Sequence, residues 1–255
     1  VAELTASAAL QAAFTGVAGV FVATPPLLDV ADPLGENRRM LAALTTSLQA
    51  AGVLKVVYLS SVGAQYDHGL GAIGKLHELE QAFGQLPIPT AAIRAAWFTE
   101  NVQGMIGPAR HSGLVPSLLS PPDRAIPMVA TTDIGQLAAR TLLETWAGPR
   151  VLELAGPCPY SPHDVTAALN FLLDQPLRTV VVPPAAHQAT YLGCGLTPLA
   201  AALMTEMLAG FNRGWIAFAG GSAEQHTGPT LLEDALRQYV GAGLGKSSLV
   251  LSTKP

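Results

Sequence analysis

Lys75 is the residue whose type and position most invite chemistry. It stands where the segment Lys75–Gln85, "KLHELEQAFGQ", begins to read as a helix, and a cation there opposes the positive end of the helix dipole. The residues alone leave two readings open. Either Lys75 points back toward neighbouring strand ends and bonds a ligand, or it is an exposed lysine paired with Glu78 at i+3. The loop before it, "GLGAIGK" (Gly69–Lys75), matches G-x-G-x-x-G literally. Such a loop cradles a pyrophosphate only when it leaves a strand directly and opens a helix. Here "VGAQYDH" intervenes, and the next strand ends in Arg94 where a ribose-binding acid would be expected. A flexible loop without phosphate chemistry is therefore expected. "GAGLGKSS" near the C-terminus imitates a P-loop but lacks its spacer and a preceding strand.

Other chemistries find little support. "HELEQ" (His77–Gln81) is not H-E-x-x-H, and no G-x-S-x-G elbow occurs. Cys158 and Cys194 lie far apart without CxxC spacing, which fits buried thiols in a reducing cytoplasm better than a disulfide or a metal site. His111, His163, His187 and His226 are scattered and read as solvated or satisfied structural side chains. A net charge of −4 with no Lys/Arg block gives no field for nucleic acid. With 49% hydrophobic and 13% charged residues, the 255-residue chain is expected to fold around an ordinary core. The first twenty residues contain Glu3 and no basic segment, unlike a secretory signal. No apolar run reaches the ~18–20 residues of a membrane span, so a soluble cytoplasmic protein is expected.

The elements that would position Lys75 alternate along the first two-thirds of the chain. Strand-like runs are Gly19–Thr24, Leu54–Ser61 and Thr90–Arg94, with helix-length segments at Glu36–Ala51 and Lys75–Gln85 between them. Strands spaced by helices imply βαβ units, an α/β class and a parallel sheet covered on both faces. Ligands of such sheets bind outside the carboxyl ends of the strands, which directs attention to Thr24, Ser61 and the region of Trp97. After Asn101, "GPARHSGLVPSLLSPPD" reads as a long, partly irregular connection. "IPMVATTDIGQLAARTLLE" reads as a strand, an N-cap at Thr131, Thr132 or Asp133, and an amphipathic helix. "RVLELAG" is a further strand, and "SPHDVTAALNFLL" a helix with Ser161 as N-cap and Pro162 in its first turn. "LRTVVVPP", "PLAAALMTEMLAGFN" and "GPTLLEDALRQYV" follow as strand, helix and helix.

Five stretches taken in order, "GVAGVFVATPP", "LAALTTSLQAAGVLKVVYLSSVGAQ", "KLHELEQAF", "IRAAWFTEN" and "IPMVATTDIGQLAA", resemble the NmrA-like proteins. These are atypical members of the short-chain dehydrogenase/reductase superfamily. The resemblance implies a Rossmann-type parallel sheet that binds NAD(P), NADPH rather than NADH, with a smaller α/β C-terminal substrate lobe. It divides the chain into a partial NAD(P)-binding domain at 1–155, an interleaved smaller lobe at 156–245 and a frayed tail at 246–255. By position it implies that Thr24, Pro25 and Pro26 lie beside the adenosine half of the cofactor, and Ser60, Ser61 and Val62 beside the nicotinamide ribose. Lys75 matches the family's helix lysine, which holds the ribose or acts as the proton-handling base. Phe98 and Asn101 would flank the nicotinamide and the substrate.

The sequence departs from the family pattern twice. The Tyr-x-x-x-Lys pair of the superfamily is absent, because Gly71 stands four residues before Lys75. Family members also begin with a strand, a "GATGxxG"-type loop, a helix and two further strands, and this sequence starts after them. "VAELTASAAL" is similar to the segment that follows, with Glu3 in its acidic position. The expectation is an N-terminally truncated Rossmann sheet in which "GVFVAT" forms an open edge. The resemblance implies hydride transfer to a quinone-like or other conjugated acceptor. The alternatives are an NAD(P)-sensing regulatory protein without turnover and an inactive truncated product. The expected partner is a small-molecule substrate, not nucleic acid or membrane, with a homodimer as the assembly to test.

Overall fold

The computed structural model describes residues 3–241; the tail 246–255 and nearly all of "GAGLGKSS" lie outside them. In chain order the elements are α1 (Ser7–Phe14), β1 (Gly19–Val22), α2 (Pro33–Ala50), β2 (Lys55–Ser61), α3 (Gly74–Gly84), β3 (Thr90–Ala95), β4 (Trp97–Phe98), α4 (Gln103–Ser112) and β5 (Leu114–Ser117). They continue with β6 (Ile126–Val129), α5 (Thr131–Leu143), β7 (Pro149–Ala155), β8 (Pro159–Tyr160), α6 (Pro162–Leu173), β9 (Arg178–Val181), α7 (His187–Gly193), α8 (Pro198–Arg213), β10 (Glu224–Thr227) and α9 (Leu232–Gly241).

The main sheet is parallel, in the order β1-β2-β3-β7-β10. Its middle strand β3 is buried at every residue, and its alanines at 91, 92 and 95 leave room for helices on both faces. One face packs on α2 and α3, where Met40, Leu44, Leu48, Leu79 and Phe83 meet Val56 and Tyr58. The other packs on α5, through Ile134, Leu137 and Ala138 against Val57, Ile93 and Leu152. Among the described residues β1 is an edge strand, paired only with β2. The register places Ser60 beside Arg94, Arg94 beside Glu153 and Glu153 beside Gln225, so one polar row crosses four strands.

Two short sheets flank the main one: β4 parallel to β6 with β6 antiparallel to β8, and β5 parallel to β9. The α6 start is as expected, with Ser161 and Asp164 forming a reciprocal capping box and Pro162 in the first turn. Several local expectations are corrected. The segment read as a partly irregular connection holds the second half of α4 and all of β5; α4 tolerates Pro108 because burying Ile106 and Ala109 offsets one lost backbone bond. The N-cap of α5 is Ala130, whose side chain caps nothing. Glu100 instead accepts from the Thr131 N–H at 2.9 Å and its hydroxyl at 2.6 Å. Cys158 is exposed and Cys194 half-buried, so the two thiols are not both core residues. His187 is buried and bonds the Val182 carbonyl, while His111 and His163 bond neighbouring oxygens on the surface.

Candidate functional site

The carboxyl ends of β1, β2 and β3 open onto a chamber of about 580 Å³, within the range of small-molecule sites. The turn after β1 contributes Thr24, Pro25 and Pro26, the end of β2 Ser60 and Ser61, and the segment after β3 Phe98 and Asn101. Lys75 reaches in from the first turn of α3. Of the residues expected from the sequence, only Val62 does not line the chamber. Its side chain packs in the core with Leu70 and Ile73, and its N–H continues the ladder to the Ala95 carbonyl.

The two readings of Lys75 separate here. Lys75 is buried, and its ammonium donates to the Pro26 carbonyl oxygen at the end of the β1 turn. Glu78 is engaged elsewhere: it accepts from Arg38 at 2.8 and 2.9 Å and from the Asn37 amide at 2.9 Å. The exposed lysine–glutamate pair is not the arrangement formed. Burial pushes the Lys75 ammonium down from 10.5 to about 8, the direction expected for a desolvated cation without a carboxylate partner.

Beneath the chamber the polar row of the sheet is charged and closed. Ser60 donates to Glu80 at 2.5 Å, and Arg94 donates to both Glu80 oxygens at 2.9 and 2.6 Å. A second carboxylate, Glu153, lies 3.9 Å from Arg94. It accepts from the Ala219 and Gly220 N–H groups and from Gln225. Burial acts to lower the pKa of Arg94, but hydrogen bonds and charge from Glu80 outweigh it and leave it raised. The arrangement has a consequence at the chamber floor. The Ser60 hydrogen is committed to Glu80, so its oxygen offers lone pairs to a donor on a ligand.

The glycine loop before α3 does a different job from the one its motif suggests. Gly71 has φ +54°, and a Cβ there would overlap the Leu203 carbonyl and the Met207 N–H of α8. Gly69, at φ +66°, lies against the Trp215 indole. The loop lets α8 close over the chamber, and it excludes a tyrosine at the position four residues before Lys75. Gly71→Ala is expected to cost about 2–4 kcal/mol through backbone strain and overlap. Urea unfolding checks this, and a midpoint within error of the parent would contradict the packing role.

No family model matches this chain. It is 26% identical over 200 residues to an NAD(P)H azoreductase of Xenophilus azovorans, covering 78% of this chain and 67% of that protein. It is 29% identical over 172 residues to a (4-alkanoyl-5-oxo-2,5-dihydrofuran-3-yl)methyl phosphate reductase of Streptomyces griseus, covering 67% of this chain and 57% of the relative. An Escherichia coli NADPH-dependent quinone oxidoreductase, solved with NADPH, superposes with a TM-score of 0.74 at 20% identity. That match covers 93% of this chain and 81% of the other. The fold is that of the quinone oxidoreductase, and both curated relatives are reductases by name. The chain thus spans roughly three-fifths to two-thirds of the length of the two curated relatives.

Within that fold, the sequence marks the strand-end part of the lining but not the apolar remainder. Trp97, Met105, Met128, Met204, Met207 and Phe211 close the chamber from β4, α4, β6 and α8. They come from four separate elements, so no local spacing announces them. Glu80 and Arg94 were also missed as a pair, since only the packing of α3 on β3 brings them together.

Proposed function

We propose that this protein is an NAD(P)H-dependent oxidoreductase, with NADPH preferred, that transfers hydride to a quinone-like or other conjugated acceptor. The observation that carries the reading is a buried lysine aimed into an apolar chamber at the carboxyl ends of parallel strands. The curated relatives named as an azoreductase and a reductase support it, as does the fold shared with the NADPH-dependent quinone oxidoreductase.

The chain's own residues fit the nicotinamide end of a dinucleotide. The Lys75 ammonium has donors beyond the one directed at Pro26, Ser60 presents an acceptor, and Phe98 supplies a flat apolar surface. Among the described residues the literal G-x-G-x-x-G is packed on α8, so it is not a pyrophosphate cradle. When bound, a reduced nicotinamide would supply the hydride, and one further proton would complete a hydroquinone. Lys75 would hold the ribose hydroxyls, Ser60 would accept from a neighbouring donor, and the apolar lining would exclude water. With Gly71 in place of a tyrosine acid, the site offers little help to carbonyl protonation, which suits acceptors that need less of it. Residues 1–155 would hold the cofactor and 156–245 complete the acceptor side, with a reducing cytoplasm as the setting.

Calorimetric titration with NADPH and NADH tests the cofactor side. Tighter binding of NADPH is the expected result. Saturable binding of neither would remove the dinucleotide from this reading.

A further inference from the structure

The methionine-rich lining of the chamber says what kind of acceptor belongs there, an inference that rests on the proposed oxidoreductase reading. Four of the chain's five methionines, Met105, Met128, Met204 and Met207, line this one chamber. Trp97 and Phe211, in the same lining, stand edge to face with centroids 5.0 Å apart. Methionine is flexible and polarisable and makes favourable contacts with ring edges, so such a wall adapts to flat aromatic ligands of differing outline.

The charges are as informative as the sulfurs. Among the described residues only two in the lining carry formal charge, Lys75 and Glu100. Lys75 sits on the strand-end side with Pro26. The Glu100 carboxylate is already bonded to Thr131 and Thr99. Ser117, which also lines the chamber, donates to the Leu119 carbonyl and accepts from its N–H. Among the described residues no cation other than Lys75, whose ammonium is held at Pro26, lines the chamber, so an anionic substituent against the methionines would be desolvated without a counter-charge of its own.

We infer that the acceptor is an uncharged, flat, multi-ring compound held against the methionine wall, and that sulfonated or carboxylated analogues are rejected by charge rather than by size. Met204 and Met207, half-buried on α8, are specificity-determining positions on this account.

The test compares three probes by equilibrium dialysis without nicotinamide cofactor: menadione, a naphthoquinone sulfonate and the matching neutral sulfonamide. Menadione and the sulfonamide are expected to bind at least about thirtyfold more tightly than the sulfonate. Met207→Lys, or Met204→Lys should the first fail to fold by circular dichroism, is expected to raise sulfonate affinity about tenfold or more. Equal binding of sulfonate and sulfonamide would overturn the inference, as would rejection of the sulfonamide alongside the sulfonate, which would make size the criterion. Failure to bind any probe would overturn it too. NADPH oxidation measured with the same probes keeps the two readings apart. Selective binding without oxidation upholds the acceptor class and removes the reductase. Equal oxidation of neutral and sulfonated quinones does the reverse.

Discussion

Replacing Arg94 by methionine is expected to destabilise the fold by about 3–5 kcal/mol, the largest single-residue effect the structure predicts. Arg94 lies in the middle of the main sheet, its side chain only 10% exposed, with Glu80 at 11% and Glu153 at 0%. Its removal leaves two buried carboxylates without a cation. Glu153 retains three donors, from Ala219, Gly220 and Gln225. Glu80 retains only the Ser60 hydroxyl among its described partners, so most of the loss falls on Glu80. The double variant Glu80→Gln with Arg94→Met should therefore recover part of the stability. Chemical denaturation of the parent, the single and the double variants measures this. A single-variant loss below about 1 kcal/mol would show that the row is solvated rather than closed.

Lys75→Met is expected to move stability and binding in opposite directions. The buried ammonium costs the fold free energy, because burial lowers its pKa from 10.5 to about 8. The sign follows from proton counting. Between these two values the unfolded chain holds more protons than the folded one, so stability rises with pH through that window. Below about pH 8 the cost is fully present, and removing the charge should stabilise the fold there by about 1 kcal/mol, allowing for solvent screening. The variant should also lose the rise in stability between these pH values, as thermal melts across the series would show. Binding goes the other way: loss of the ammonium should weaken NADPH affinity about 10–100-fold, the scale of a charge-assisted hydrogen bond at a buried site. A variant less stable than the parent, with unchanged affinity, would make Lys75 a structural residue.

How far these features could be read from the sequence depends on whether their physics is local. The strands β2 and β3 announce themselves as apolar runs because both faces of the sheet are covered there. Ser161 announces α6 because a capping box closes within four residues. By contrast β10 has the sequence Glu-Gln-His-Thr and lies mostly exposed at a sheet edge, so no apolar pattern marks it. The α5 start carries no local signal because its orphan N–H is satisfied by Glu100, thirty-one residues earlier in the chain. Lys75 was legible as a question, through its place at a helix start. Its answer needed the position of Pro26, forty-nine residues away. The glycine motif was legible as a string and silent about its function, since only the approach of α8 shows why Gly71 cannot bear a side chain.

The most direct measurement is quinone-dependent oxidation of NADPH, followed by the loss of reduced-nicotinamide absorbance with menadione as acceptor. Saturable turnover in both substrates is expected, reduced about 10–100-fold by Lys75→Met. NADPH that binds without being oxidised by any neutral quinone would contradict the reductase and leave a dinucleotide-sensing protein in its place.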